Sequence, residues 1–281
     1  MGTVADLQDL LERRYPPAWA EDWDRVGLVL GEPSAAVSRV LFAVDCVPAT
    51  VAEAERAGAE LMVVHHPLLL RGVSSLAPTT YRGRIVHRLI RAGIALYTAH
   101  TNADVAAPGV SDALAVRLGL RDLTPLRPVS HPADHPAAGP NIGTGRVGTL
   151  PEPMDLASFT RLVARSLPPT AWGVRGAGPV DRVVRRVAVC GGSGDAFLAD
   201  AVRAGVDAYL TADLRHHPAT DHLADGGPAL VDAAHWATER PWLDDVATYL
   251  RESAGVETIV SDLDTDPWTV HATSSQPARL N

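Results

Sequence analysis

Apolar positions along the first half of the chain follow two periods in turn. In VADLQDLLERRYP, Val4, Leu7, Leu10 and Leu11 fall on one face of a helix, with Asp6 and Asp9 early, where the helix dipole favours acids. VSRVLFAVDCV is an apolar run of strand length, and PATVAEAERAGA after it reads as a helix with Pro48 near its start and Gly58 near its end. ELMVVHHP is the next strand. GRIVHRLIRAG is a helix ending at Gly93, IALYTAHTNAD a third strand running into a turn, and VSDALAVRLGL a helix capped by Ser111 or Asp112. Strand, helix, strand, helix, strand is the order of parallel sheet units with helical crossovers.

From Arg127 to Asn141 the chain reads RPVSHPADHPAAGPN, a surface linker; His131 and His135 stand four apart there, but the surrounding prolines exclude a helix. The second half repeats the pattern. GRVGTL is a strand, DLASFTRLVARSL a helix, RRVAVCGGSG a strand into a glycine turn, DAFLADAVRAG a helix and VDAYLTADL a strand. PALVDAAHWATERPWLDDVATYLRES starts as a strand, turns and continues as a helix, and ETIVSDLDTDPW is a strand with a frayed tail. The expected fold is α/β: two α/β lobes with mostly parallel or mixed sheets, an N-terminal lobe over 1–126, a linker over 127–141 and a C-terminal lobe over 142–281, with a functional cleft between them.

At 281 residues and 46% hydrophobic, the chain can bury a substantial core. A net charge of −8 with no basic run disfavours non-specific nucleic-acid binding and a DNA-binding factor. Cys46 and Cys190 stand far apart in apolar runs, as buried small hydrophobes in a cytoplasmic protein. The N-terminus is amphipathic and charged, unlike a signal peptide, and no apolar run approaches the roughly 18 residues of a membrane helix.

The placement of histidines and acids carries the chemistry. VVHHPLLL puts His65 and His66 side by side at the end of a strand. Alternation would aim them at opposite faces, so a shared task requires the chain to leave the strand there, as Pro67 favours. HTNAD supplies His100 and Asp104, with Asn102 and Pro108 indicating a turn. HWATE supplies His235 and Glu239, which share a face at i,i+4 on a helix. Each group alone is a weak signal, but all three fall at predicted strand ends, where the functional groups of parallel sheets gather. Imidazole with carboxylate suits Zn, Mn, Fe, Co or Ni. Six such groups exceed the needs of one tetrahedral ion with an open position, and two divalent metal ions sharing a carboxylate would use them better.

VCGGSGDAF is either a tight turn needing positive φ or a backbone cradle for phosphate; it has neither GxGxxG spacing, a Walker lysine nor GxSxG, so Ser193 is not a nucleophile. His216 and His217 form a second HH-P, followed by His222, in solvated or supporting roles, and His87 is structural.

In order, WDRVGLVLG, HHPLLLRGVSSL, YTAHTNADVAAPGVSDALAVRLGL, GRVGTL, VAVCGGSGDAF, YLTADLRHH and VDAAHWATER resemble the dinuclear-metal hexameric family whose bacterial members are called GTP cyclohydrolase 1 type 2 homologues, relatives of the NGG-interacting-factor proteins of yeast. The resemblance runs from about Asp6 to Ile259 and is to the short form, without the extra domain. It implies that His65, His66, Asp104, His235 and Glu239 are metal ligands, that Glu239 bridges two ions with His100 close by, and that the protein is a homohexamer. Two departures stand out: Ala212 and Ala234 replace glycines usual in the family, which would alter the backbone if either position needed positive φ. The implied activity is metal-dependent hydrolysis of a small molecule, a nucleotide ring or a phosphoester, with His100 or Asp213 as a proton shuttle. The alternative is a non-catalytic metal-binding module that buffers or delivers ions or regulates a partner.

Overall fold

The structure, a computed structural model, describes residues 2–129 and 141–272, so His131 and His135 lie outside the described residues. Two short strands, β1 (Gly2–Thr3) and β3 (Ala36–Val37), pair at one edge. A five-stranded sheet has the order β13 (Glu257–Val260), β4 (Arg39–Ala43), β5 (Leu61–Val64), β6 (Ala95–Thr98), β2 (Gly27–Leu30), parallel except for β2. A six-stranded sheet has the order β7 (Arg121–Pro128), β8 (Gly143–Asp155), β10 (Val183–Ser193), β11 (Ala208–Ala212), β12 (Ala229–Ala233), β9 (Val174–Ala177); β10, β11 and β12 are parallel and the outer pairings antiparallel.

Alternation along the strands sorts side chains into layers. Val40, Phe42, Val63 and Tyr97 of the first sheet and Val187, Val189, Leu210 and Val231 of the second belong to one buried cluster. That cluster is filled by α1 (Val4–Arg14), α5 (Val110–Arg117), α6 (Leu156–Ser166) and the long α9 (His235–Ala254). The opposite faces, Leu41, Met62 and Val64 in one sheet and Ala188, Cys190 and Tyr209 in the other, are covered by α2 (Pro48–Ala57) and α3 (Tyr81–Ala92), and by α7 (Leu198–Arg203) and α8 (His216–Ala224). Cys46 and Cys190 are free, buried and in different clusters. Among the described residues no helix is long and apolar enough to cross a membrane.

The division between the sheets does not follow the expected boundaries. Arg121–Pro128, placed by the sequence in the first lobe and linker, is a strand of the second sheet, and Glu257–Val260 returns from the chain's end to pair with β4. Nor does the tail fray: the Ser261 N–H donates to Phe42 O at 2.8 Å and its hydroxyl to Glu53 at 2.5 Å. HTNAD is not a turn either. The strand stops at Thr98, and α4 (Thr101–Val105) starts at once, with the Asp104 N–H donating to His100 O at 3.1 Å.

Candidate metal centre

Both sheets aim the carboxyl ends of their parallel strands at one place. In the first, Asp45 follows β4, His65 and His66 follow β5, and His100 follows β6. In the second, Gly191 and Gly192 close β10, Asp213 follows β11, and His235 follows β12 as the first residue of α9. Two facing rims meet, so the cluster lies between the two sheets.

The double histidine resolves as its proline required. His65 keeps the strand's alternation and turns toward the middle layer, its ring 5.4 Å from that of the buried Trp242. Beyond it the chain leaves the strand, so the His66 ring lies 5.1 Å from that of His65, on the same carboxylate. The Glu239 Oε1 is 3.4 Å from His65 Nε2 and 3.0 Å from His235 Nε2, and its Oε2 is 3.2 Å from His66 Nε2. Asp104 Oδ1 lies 3.8 Å from His65 Nε2, and the Nε2 atoms of His66 and His235 are 3.2 Å apart. The five residues the resemblance implies as ligands are thus brought together, with His100 beside them, its ring 5.1 Å from His65 and 5.6 Å from His66.

Each imidazole is held by its other nitrogen. His65 Nδ1 donates to Ala99 O at 2.9 Å, His66 Nδ1 to Asp45 at 2.8 Å, His235 Nδ1 to Asp213 at 2.7 Å and His100 Nδ1 to Asp24 at 2.8 Å. An acceptor at Nδ1 fixes tautomer and ring orientation and leaves the Nε2 lone pair for a metal, the usual arrangement of metal-binding histidines. Among the described residues, two groups of donors lie within reach of a single ion: His66, His235 and Glu239, and His65, His66 and His100.

The charges are tightly balanced. Burial alone would lower the pKa values of His66 and His235, but Glu239, with Asp45 beside one and Asp213 beside the other, pushes them up to about 10 and about 11. Burial would raise Glu239, yet the charges on His235, His66 and His65 hold it well below the usual carboxylate range. Burial raises Asp104 against the pull of His65 and His100. Glu239 Oε2 is buried and accepts no hydrogen bond of good geometry. A buried anionic oxygen whose near neighbour, His66 Nε2 at 3.2 Å, is misaligned for a hydrogen bond is costly, and a cation at that point would satisfy it. The donor set therefore fits divalent metal.

Glycine in VCGGSG serves close approach. Gly192 has φ +66, and a Cβ there would stand 2.3 Å from Glu239 Oε1 and 3.0 Å from His235 Nε2. Its N–H donates to Thr238 Oγ1 at 2.9 Å, one residue before Glu239. The turn packs against the carboxylate and leads through a single 3₁₀ turn, Asp195–Phe197, into the six-residue helix Leu198–Arg203. Neither alanine departure strains the backbone: Ala212 ends β11 and Ala234 has φ −64. The positive φ, 58°, is at Asp213, a residue type that tolerates it. Asp213 is bonded to the nitrogen of His235 that faces away from Glu239, so it orients the ring.

His216 and His217 are exposed at the start of α8, away from the cluster, while His222 is buried with Nε2 3.0 Å from Pro228 O. The sequence reading gave no role to Asp45 and Asp24. Asp45 had a signal, an acid ending an apolar strand beside the strand that ends in His65. Asp24 had none of its own; it is buried, receives Thr101 N–H and Oγ1–H, and is held well below the usual range because the bonds from His100 and Thr101 outweigh burial. In front of the cluster lies a cleft of about 630 Å³ whose walls include Trp23, Arg82, Arg127 and Phe197, with His100, Asp104 and Glu239 at its base.

Two mixed sheets that face each other across a core of helices, with a metal-ligand type of histidine–carboxylate group where their strand ends meet, define the class. The profile of the Duf34/NIF3 (NGG1p interacting factor 3) family matches residues 2–267, and the chain belongs to that family. A Streptomyces coelicolor protein named GTP cyclohydrolase 1 type 2 homolog is 48% identical over 280 residues, covering 98% of this chain and 96% of the relative. The Mycobacterium tuberculosis protein of the same name is 38% identical, covering 98% and 99%, in an alignment of 377 positions, so it carries segments with no counterpart here. Among solved structures, a Bacillus cereus protein related to NIF3 superposes with a TM-score of 0.86 at 26% identity, covering 95% of this chain and 99% of the other. A Staphylococcus aureus protein does so at 0.85 and 29%, covering 95% and 98%.

Proposed function

We propose that the protein is a metal-dependent hydrolase with a dinuclear centre, whose two divalent ions would be held by His65, His66, Asp104, His235 and Glu239. The observation that carries this is the meeting of three imidazole Nε2 atoms on one buried carboxylate, each ring already fixed through Nδ1. Bound there, the ions would supply Lewis-acid activation of water and of the bond to be broken. The chain's own residues do the rest. Asp24 fixes His100 Nδ1 and leaves its Nε2 at the cleft to accept or return a proton. Arg82 lends the cleft positive charge for an anionic substrate, and the exposed Trp23 offers a face to a planar ring, while Arg127 is paired with Asp200 and stacked on Phe197 in the cleft wall. A nucleotide such as GTP, the compound in the relatives' name, fits that chemistry. The proposal extends to a homohexamer in the cytoplasm.

The test is turnover by metal-loaded protein on GTP and a panel of phosphoesters, beside Glu239→Ala. Turnover lost in a folded variant supports the hydrolase. Tight metal binding with no turnover on any substrate favours instead a module that buffers or delivers ions.

A further inference from the structure

The segment after β13 crosses the back of the site. Ser261 anchors one end, on Phe42 O and Glu53. At the other end Trp268 packs on Trp172, ring centroids 5.7 Å apart, and Trp172 donates to Asp232 of β12 at 3.1 Å. The strap thus spans from the first sheet to the second. Between its anchors the Thr265 hydroxyl donates to Asp45 Oδ2, while Asp45 Oδ1 takes the Nδ1 proton of His66. Thr265, Asp266 and Trp268 also wall a cavity of about 220 Å³ on the side of His66 and His235 where Asp45 and Asp213 sit.

We propose that Thr265 is a positioning residue for His66, acting through Asp45, and that the C-terminal strap is thereby part of the metal centre. A carboxylate at the end of a side chain rotates in a broad, roughly two-fold well. Held only by His66, Asp45 could turn and release the ring. The Thr265 hydroxyl occupies its second oxygen and fixes the plane in which Nδ1–H must donate. Nε2 then faces Glu239, and a ring released from Asp45 loses that direction. His65 needs no such link because its Nδ1 bonds a backbone carbonyl, and Asp213 does the same office for His235 without the strap.

This rests on the metal reading in its affinity arm alone. Thr265→Val keeps shape and removes the hydroxyl; Thr265→Ser restores it. The full-length variants are titrated with Zn²⁺ against a chromophoric chelator, and the histidine ring nitrogens of the metal-free proteins are read by ¹⁵N NMR. Thr265→Val is expected to weaken Zn²⁺ binding about tenfold, the lower end of what an outer partner of a ligand costs. It is expected to shift the His66 nitrogen pattern while leaving that of His235 unchanged, and Thr265→Ser to restore both. Affinity within twofold of wild type with an unaltered His66 pattern overturns the proposal, as does equal damage from valine and serine. If wild-type protein binds no divalent ion, the metal reading fails, and the His66 pattern still decides the Thr265–Asp45–His66 link.

Discussion

Removing the acids behind the imidazoles tests whether orientation and charge at Nδ1 set metal affinity. Asp45→Asn keeps an acceptor for His66 Nδ1–H and removes the charge; Asp45→Ala removes both. Outer partners of metal-bound histidines typically contribute 10–100-fold in affinity. The structure ranks the two sites. The Asp45 side chain is 25% exposed and that of Asp213 54%, so solvent screens the second more. Asp45→Ala is expected to weaken binding about 100-fold, roughly 2.7 kcal/mol, and Asp45→Asn about tenfold, roughly 1.4 kcal/mol. Asp213→Ala should cost no more than about tenfold. Competition against a chelator of known affinity for Zn²⁺ and Mn²⁺, with unfolding followed in parallel, measures all three. Equal, near-wild-type affinities would refute the reasoning, because the Nδ1 bonds would then be incidental to the site.

Three further outcomes follow from the same geometry. In metal-free protein His66 and His235 hold protons up to about 10 and about 11, so their contribution to stability is complete below pH 6.5 and is lost as the pH rises through those values, while metal binding must displace these protons and strengthens over the same range; melting curves between pH 6.5 and 9.5 should fall for the metal-free form and stay nearly level for the loaded one, whose histidines carry no proton to lose. Gly192→Ala puts a methyl group 2.3 Å from Glu239 Oε1 on a backbone at φ +66, and should reduce metal affinity at least about tenfold by moving that carboxylate, as titration would show. Arg146, buried and donating to Asp112 and to the carbonyls of Gly143, Gly145 and Ala106, joins the segment after Asp104 to β8; Arg146→Leu should cost about 3 kcal/mol in denaturant unfolding by leaving those acceptors unmet.

How much of this the sequence contained depends on distance along the chain. His235 and Glu239 are related by one helical turn and His65 and His66 by a peptide bond, so their spacing alone exposed them. Local apolar periods also yielded β4, β5, β6, β10, β11 and β12, the strands that carry the site. Relations across the fold left no local trace. Asp24 reaches His100 over 76 positions, and Asp45 reaches His66 over 21. β13 reads as a strand, but its place beside β4, more than 200 positions away, leaves no local trace, and β9 is short and half polar. HTNAD was misread because asparagine favours turns locally, whereas here its amide donates to Tyr15 O at 2.7 Å and its carbonyl takes the His100 N–H, so the side chain braces a short helix instead.

Glu239 shows why fold and site cannot be separated here. It stands on α9, in the layer shared by both sheets, and touches His65 and His66 from one sheet and His235 from the rim of the other. Without metal, the junction is held by imidazolium charges around a carboxylate with one oxygen unsatisfied. A divalent ion between His66, His235 and Glu239 would bond groups from both sheets at once, so its binding free energy acts at the seam. At a concentration of about 100 times Kd that linkage is worth roughly 2.7 kcal/mol, a large part of an ordinary domain's stability. The buried carboxylate is therefore the point through which loading the centre would tighten the two halves, and its cost in the metal-free protein is borne by the core that surrounds it.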